Sequence, residues 1–145
     1  MTAIRIMGLD VGDKRIGVAL SDPLGITAQR LALLERRNAA GDVEAVGALA
    51  KQHTVGRIVV GLPLTLRGEV GPQAKKVEAF ADALRRKTQV PVELVDERLT
   101  TVQGERALLE TSTSRRKRKV TIDQVAAQLI LQQFLDTQRE RGLPS

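Results

Sequence analysis

The stretch IMGLDVGDKRIGVAL, residues 6–20, decides how this chain is read. An apolar run ends at Asp10, Gly12 turns the backbone, and the basic pair Lys14 and Arg15 opens a second apolar run. Around it, IRIMGLDV alternates, with Ile4, Ile6, Gly8 and Asp10 on one side and Arg5, Met7, Leu9 and Val11 on the other. A period of two belongs to a strand, and two such runs about a glycine-containing turn make a hairpin. The hairpin leaves a carboxylate at the end of its first strand beside two cations. That arrangement suits a solvated turn, a phosphate clamp or a metal ligand, and the remaining sequence has to separate them.

Outward from the hairpin, ITAQRLALLERR (residues 26–37) predicts a third strand, and Asp42 is placed to cap a helix carrying Val43, Val46, Leu49 and Ala50 at three-and-four spacing. GRIVVGLP (56–63) is a short continuous apolar run between glycines, the pattern of a buried parallel strand. A second helix opens near Pro72 and buries Val77, Phe80, Ala81 and Leu84, and VPVELVDER (90–98) forms the last strand, ending in acid. LTTVQGERALLE (99–110) reads as a short helix, TSTSRRKRK (111–119) as an exposed loop because it holds no apolar residue, and Thr121 with Gln124 has the capping-box spacing that starts a final helix. Three strands followed by alternating helices and strands predict an α/β fold with a mixed five-stranded sheet and helices on both faces. No linker divides the sequence, so residues 1–145 are expected to form a single domain.

Composition removes several chemistries. The absence of cysteine excludes disulfides, thiolate zinc sites and cysteine nucleophiles, and one histidine, His53, leaves neither a multi-histidine metal site nor a ready triad. Two phenylalanines with no tryptophan or tyrosine disfavour base stacking on aromatic platforms. Hydrolysis must then fall to carboxylates, which select hard cations such as Mg2+ or Mn2+. A formal charge of +6 favours polyanionic partners, above all nucleic acid. The N-terminus reads as a strand, not a signal peptide, and no apolar run is long enough to span a membrane, so a cytoplasmic protein is expected, as monomer or homodimer.

Asp10 ends the first strand, Asp96 and Glu97 end the last, and Asp123 falls on the stripe of the final helix shared with Ala127, Ile130 and Phe134. Asp10 and Glu97 meet if their strands are neighbours, because ligands gather outside strand ends in open sheets. For Asp123, stabilisation of a helix N-terminus by roughly 0.3–1 kcal/mol is an equal alternative to ligation. Three carboxylates within about 4 Å would repel by about 4 kcal/mol per pair at an effective dielectric near 20, a penalty that divalent cations remove. Two such ions suit in-line displacement at a phosphodiester, with Asp10 bridging them and Glu97 and Asp123 each completing one side. Asp96, Asp13 and Asp22 are lesser candidates.

GLDVGDKRIGVALSD, VVGLPLTLRG, VDERLTT and TIDQVAAQLILQQFL together resemble, in order, the four signature blocks of the YqgF/RuvX family. The blocks spread over almost the whole chain, and SRRKRK between them also matches. The resemblance implies a ribonuclease H-like fold related to Holliday junction resolvases and metal-dependent nuclease chemistry, in maturation of the 5′ end of pre-16S rRNA or in cleavage of branched DNA. It makes Asp10 the first acid, Glu97 the second and Asp123 the third. The sequence departs from the family pattern at Thr65 and Arg67, where a polar amide and an acid are expected. With the resemblance, Lys14, Arg15 and Arg98 become candidate substrate contacts or site-orienting ion pairs. The run Arg115, Arg116, Lys117, Arg118 and Lys119 becomes a candidate for the nucleic-acid backbone. Gly61 and Pro63 suit either close approach of that backbone or a plain turn. Two rival functions remain. One is nucleotide binding of the actin/Hsp70-like kind, which GLDVGDKRIG resembles but which needs two domains; the other is a non-catalytic nucleic-acid-binding protein.

Overall fold

The structure, a computed structural model, describes residues 4–99 and 115–140, with the backbone alone for residues 99, 115–121, 123 and 124. The opening hairpin is β1 (Arg5–Val11) paired antiparallel with β2 (Arg15–Ser21), closed where Gly12 N–H donates to the Arg15 carbonyl at 2.9 Å. β3 (Ala28–Glu35) continues antiparallel beyond β2. On the other side of β1, β4 (Val55–Leu62) and then β5 (Val92–Asp96) run parallel, giving the sheet order β3-β2-β1-β4-β5. Helices α1 (Ala39–Gln52) and α2 (Pro72–Thr88) join the parallel strands, and a 3-10 turn (Glu97–Leu99) follows β5. The last helix, α3, is Arg115–Glu140. The expected mixed five-stranded sheet with helices on both faces is therefore present.

Strand alternation sorts side chains into two cores. Met7, Leu9 and Val11 of β1, Ile16, Val18 and Leu20 of β2, and Ile58 and Val60 of β4 pack under α1 and α2 with Val46, Phe80 and Leu84. The alternate residues Ile6, Ala19 and Val59 pack under α3 with Ala126, Ala127, Ile130 and Leu131. A Cβ at Gly8 would lie 2.7 Å from Leu131 Cβ and 3.1 Å from the Ala127 carbonyl oxygen, so this glycine sets how closely α3 sits on the sheet.

Two helix starts differ from expectation. α1 is capped by Asn38, whose side chain accepts from Gly41 N–H; Asp42 is inside the first turn, buried, and bonded to Arg36 Nε at 2.7 Å and to Arg37 N–H at 3.1 Å. The two arginines ahead of the helix claim its carboxylate, which leaves capping to the asparagine. Residues 115–119, expected in a loop, are the start of α3. Lysine and arginine are good helix formers and no glycine or proline interrupts 115–140, so the want of apolar residues does not stop the helix there. Thr121 is then interior, and the capping-box spacing does not mark a start. Asp123 sits well inside α3, beyond the first turn where the helix dipole acts, which removes the N-terminal alternative for it. The expected helix at 99–110 falls outside the described residues save for Leu99, which closes the 3-10 turn.

Candidate active site

Asp10 shares the alternation of Ile6 and Gly8, which places it on the α3 face at the end of the central strand. Its antiparallel partner is Gly17, and on the other side Gly61 stands one step past the last registered pair, Leu9 and Val60. Glycines thus flank the aspartate on both neighbouring strands. Glu97 leaves β5 and turns back over the same ground: its Oε2 lies 3.7 Å from where a Cβ on Gly61 would be, beside Ile130 Cδ1 at 2.6 Å. Asp10 is 5% exposed and Glu97 2%, values unusual for acids and found here on one surface, on either side of one glycine. The space above Gly61 is filled by Ile130 of α3, with the Glu97 carboxylate at van der Waals distance, so this glycine admits the helix side chain and not an incoming backbone.

The neighbouring acids are otherwise engaged. Asp96 accepts from Arg98 Nη2 at 2.8 Å, from its Nε, and from its backbone N–H at 2.9 Å; the Arg98 side-chain bond, more than the backbone one, holds the Asp96 carboxyl below its ordinary range. Arg98 is therefore an ion-pair partner of the residue before Glu97. Asp13 faces Lys76 of α2 at 3.9 Å. Asp22 lies at the far end of β2 and accepts from the amide of Thr27, which above all lowers its pKa, and from that of Ile26. Ser21 is buried and accepts from Ile6 N–H at 2.9 Å, a structural role. Lys14 is exposed in the hairpin turn and Arg15 begins β2 opposite Glu35, both at the Asp10 end of the sheet. His53 closes α1 as its C-cap. Among the described residues no three acids or histidines form a metal-binding group; the side chain of Asp123 and those of residues 115–119 lie outside what is described.

Residues 4–137 match the family described as RuvX, Holliday junction resolvase. This chain belongs to the RuvX family. It is 54% identical over 140 residues to a protein of Moorella thermoacetica named "Putative pre-16S rRNA nuclease", covering 97% of this chain and all (100%) of the relative. A protein of the same name from Pelotomaculum thermopropionicum is 51% identical over 144 residues, covering 96% and 94%. Among solved structures, RuvC of Thermus thermophilus in complex with a Holliday junction substrate superposes with a TM-score of 0.63 at 12% identity, over 97% of this chain and 98% of that one. At that identity the likeness speaks to fold, and the fold is ribonuclease H-like. Membership of the RuvX family makes the chain a nuclease, a hydrolase of phosphodiester bonds that depends on divalent metal. The donors present fit such an ion, since two carboxylates, hard oxygen ligands, are buried at Asp10 and Glu97 beside the ends of β1 and β5. Among the described residues no helix is long and apolar enough to cross a membrane.

Sequence reasoning on this RuvX-family chain named Asp10 and Glu97, which the structure buries, and passed over the glycines next to them on β2 and β4. Gly17 carried no motif of its own, and its signal was register: once the hairpin is paired through Gly12, Asp10 must face residue 17. Gly61 was noticed, but its significance depends on Glu97 folding back over β4, which no local pattern encodes.

Proposed function

We propose that this chain is an endonuclease of structured nucleic acid that uses Asp10, Glu97 and Asp123 with two Mg2+ or Mn2+ ions, in 5′-end maturation of pre-16S rRNA and/or cleavage of branched DNA such as a Holliday junction. It acts as one domain over residues 1–145, in the cytoplasm, as monomer or homodimer. The observation that carries the reading is the burial of Asp10 and Glu97 on either side of Gly61 beneath α3. The names of the relatives support the RNA substrate, and the family description supports the junction.

In this reading Asp10, Glu97 and Asp123 hold the ions, which when bound supply Lewis-acid stabilisation of the phosphoryl oxygens and acidify water. The protein's own part is positional. Burial of Asp10 and Glu97 keeps bulk water from screening their charge. Arg98 fixes Asp96 and with it the turn that presents Glu97. Lys14 and Arg15, with the basic start of α3, neutralise phosphates that flank the cut.

The test is cleavage of end-labelled pre-rRNA fragment, single-stranded RNA, four-way DNA junction and plain duplex, each with Mg2+ or Mn2+. The wild type should cut the pre-rRNA, the junction or both in preference to single strand and duplex. Asp10→Asn and Glu97→Gln should each lower the rate by at least about a thousandfold, the equivalent of several kcal/mol of lost charge stabilisation. Undiminished cutting by Asp10→Asn in a preparation free of contaminating nuclease would overturn the assignment.

A further inference from the structure

Leu66 is 87% exposed, more than any other large apolar side chain among the described residues. Single exposed leucines are common on surfaces and mean little alone. This one differs in what holds it. Residues 65–69 form a tight turn in which Gly68 N–H donates to the Thr65 carbonyl at 2.8 Å, Thr65 N–H to the Glu69 carbonyl at 3.0 Å, and Glu69 N–H to Thr65 Oγ1 at 3.0 Å. Gly68 closes it at φ +82°, a conformation other residues adopt at a cost of about 1–2 kcal/mol. The Arg98 guanidinium then lies against Gly68, 3.2 Å from where its Cβ would be, and Nη1 donates to the Leu66 carbonyl at 3.3 Å while the same group binds Asp96.

Asp96 and Arg98 are the residues on either side of Glu97. The loop tip is therefore tied through one guanidinium to the turn that presents the proposed catalytic acid. Backbone hydrogen bonds and Arg98 account for the loop's order, and the Leu66 side chain belongs to neither core. Its fold needs no leucine at that point. One way a nuclease selects structured substrates is to engage bases where the helix is interrupted, and aromatic stacking platforms are missing here: Phe80 and Phe134, the only aromatics, are 5% and 8% exposed and sit in the two cores. Another means is an apolar wedge placed between base steps, for which leucine serves. Arg67, exposed beside Leu66, adds a cation for the adjoining phosphate.

We propose that Leu66 is a specificity-determining residue, an apolar wedge that packs against a nucleobase unstacked at a branch point or helix end close to the scissile phosphate. The proposal rests on the nuclease reading for its location, but its test does not depend on cleavage. In an Asp10→Asn background, a four-way DNA junction and an RNA hairpin would carry 2-aminopurine at the discontinuity, whose fluorescence rises on unstacking. Saturating Asp10→Asn protein should raise the signal on at least one of these probes and not on continuous duplex. Adding Leu66→Ser should abolish the rise, and Leu66→Met should restore it. The Kd should move by less than about tenfold, because the apolar contact is offset by the cost of unstacking. Binding with no rise, or a rise that survives Leu66→Ser, overturns the wedge alone. Failure of the Asp10→Asn protein to bind either probe overturns the nucleic-acid reading and the wedge with it.

Discussion

The two faces of the sheet are made from the same strands and could hardly be used more differently. Toward α1 and α2, β1 presents Met7, Leu9 and Val11, and β4 presents Ile58 and Val60, a continuous apolar layer. Toward α3 the alternate positions are Ile6, Gly8 and Asp10 in β1 and Arg57, Val59 and Gly61 in β4, with the Arg57 guanidinium over the Phe134 ring of α3 at 4.9 Å, so both strands end in small or acidic residues. One face stores stability along its whole length. The other packs a helix at one end of the strands and gives up packing at the other to seat carboxylates. Because successive side chains point to opposite faces, a strand can carry both tasks in consecutive residues without compromise.

The sharpest way to break this division uses neighbours in the chain. Leu9→Ala removes a fully buried side chain from the α1/α2 face and should cost about 2–5 kcal/mol, read as a lower urea midpoint, while molecules that remain folded cut at the wild-type rate. Asp10→Asn should do the reverse, losing cleavage with a midpoint shift far smaller than that of Leu9→Ala. Equal losses of stability in the two variants would mean that the faces share one energetic role.

Most of the fold was legible because it depends on local periodicity. The hairpin, the buried strand at 56–63 and the α2 stripe each follow from spacing that tertiary contacts only reinforce. The start of α3 was not legible, since a solvated basic run and a basic helical turn have the same composition. The cap of α1 was misread because the arginines that occupy Asp42, Arg36 and Arg37, precede the helix and meet it only after folding. At the site, Asp10 and Glu97 stood out as acids ending strands. That they share Gly61 follows from β4 lying between β1 and β5, a strand order that sequence does not write down.

A second pair of variants sharpens the comparison within the α3 face. A methyl on Gly8 meets Leu131 Cβ and a helix carbonyl, neither of which can swing aside, so Gly8→Ala should push α3 off the sheet at about 1–3 kcal/mol. A methyl on Gly61 meets the flexible end of Ile130 and stands at ordinary contact distance from Glu97, so Gly61→Ala should cost less than about 1 kcal/mol. Gly61→Val reaches further and should displace the Glu97 carboxylate, lowering the cleavage rate by about a hundredfold, the scale expected for a misplacement near 1 Å. If Gly61→Val cuts normally, Glu97 is not held in working position by the space at residue 61.

The smallest expected effect concerns how α3 is held in place. Beyond its apolar contacts it grips the start of β3 with two glutamines: Gln132 accepts from Ala28 N–H and donates to the Ile26 carbonyl, both at 2.9 Å, and Gln128 donates to the Ala28 carbonyl at 3.0 Å. The turn that delivers Ala28 is shaped by Asp22, whose Oδ1 accepts from Ile26 N–H at 2.7 Å and Thr27 N–H at 3.0 Å. Asp22→Ala should therefore loosen this latch on the α3 face, at about 1 kcal/mol near neutral pH. The Thr27 amide lowers the Asp22 pKa below 3.8 against a smaller opposing effect of burial, with the Ile26 amide adding to the lowering. A depressed carboxyl pKa contributes stability that is complete above the unfolded value and disappears as pH falls through the folded one. The gap between wild type and Asp22→Ala in urea midpoint should thus be constant from neutral pH down to the ordinary carboxylate range and close below it. Solvent screening at this exposed turn keeps the pH-dependent part small. A gap that persists undiminished in acid would assign the latch to the turn's backbone hydrogen bonds, Asp22 N–H to the Thr27 carbonyl and Gly25 N–H to the Asp22 carbonyl, and not to the charge on Asp22.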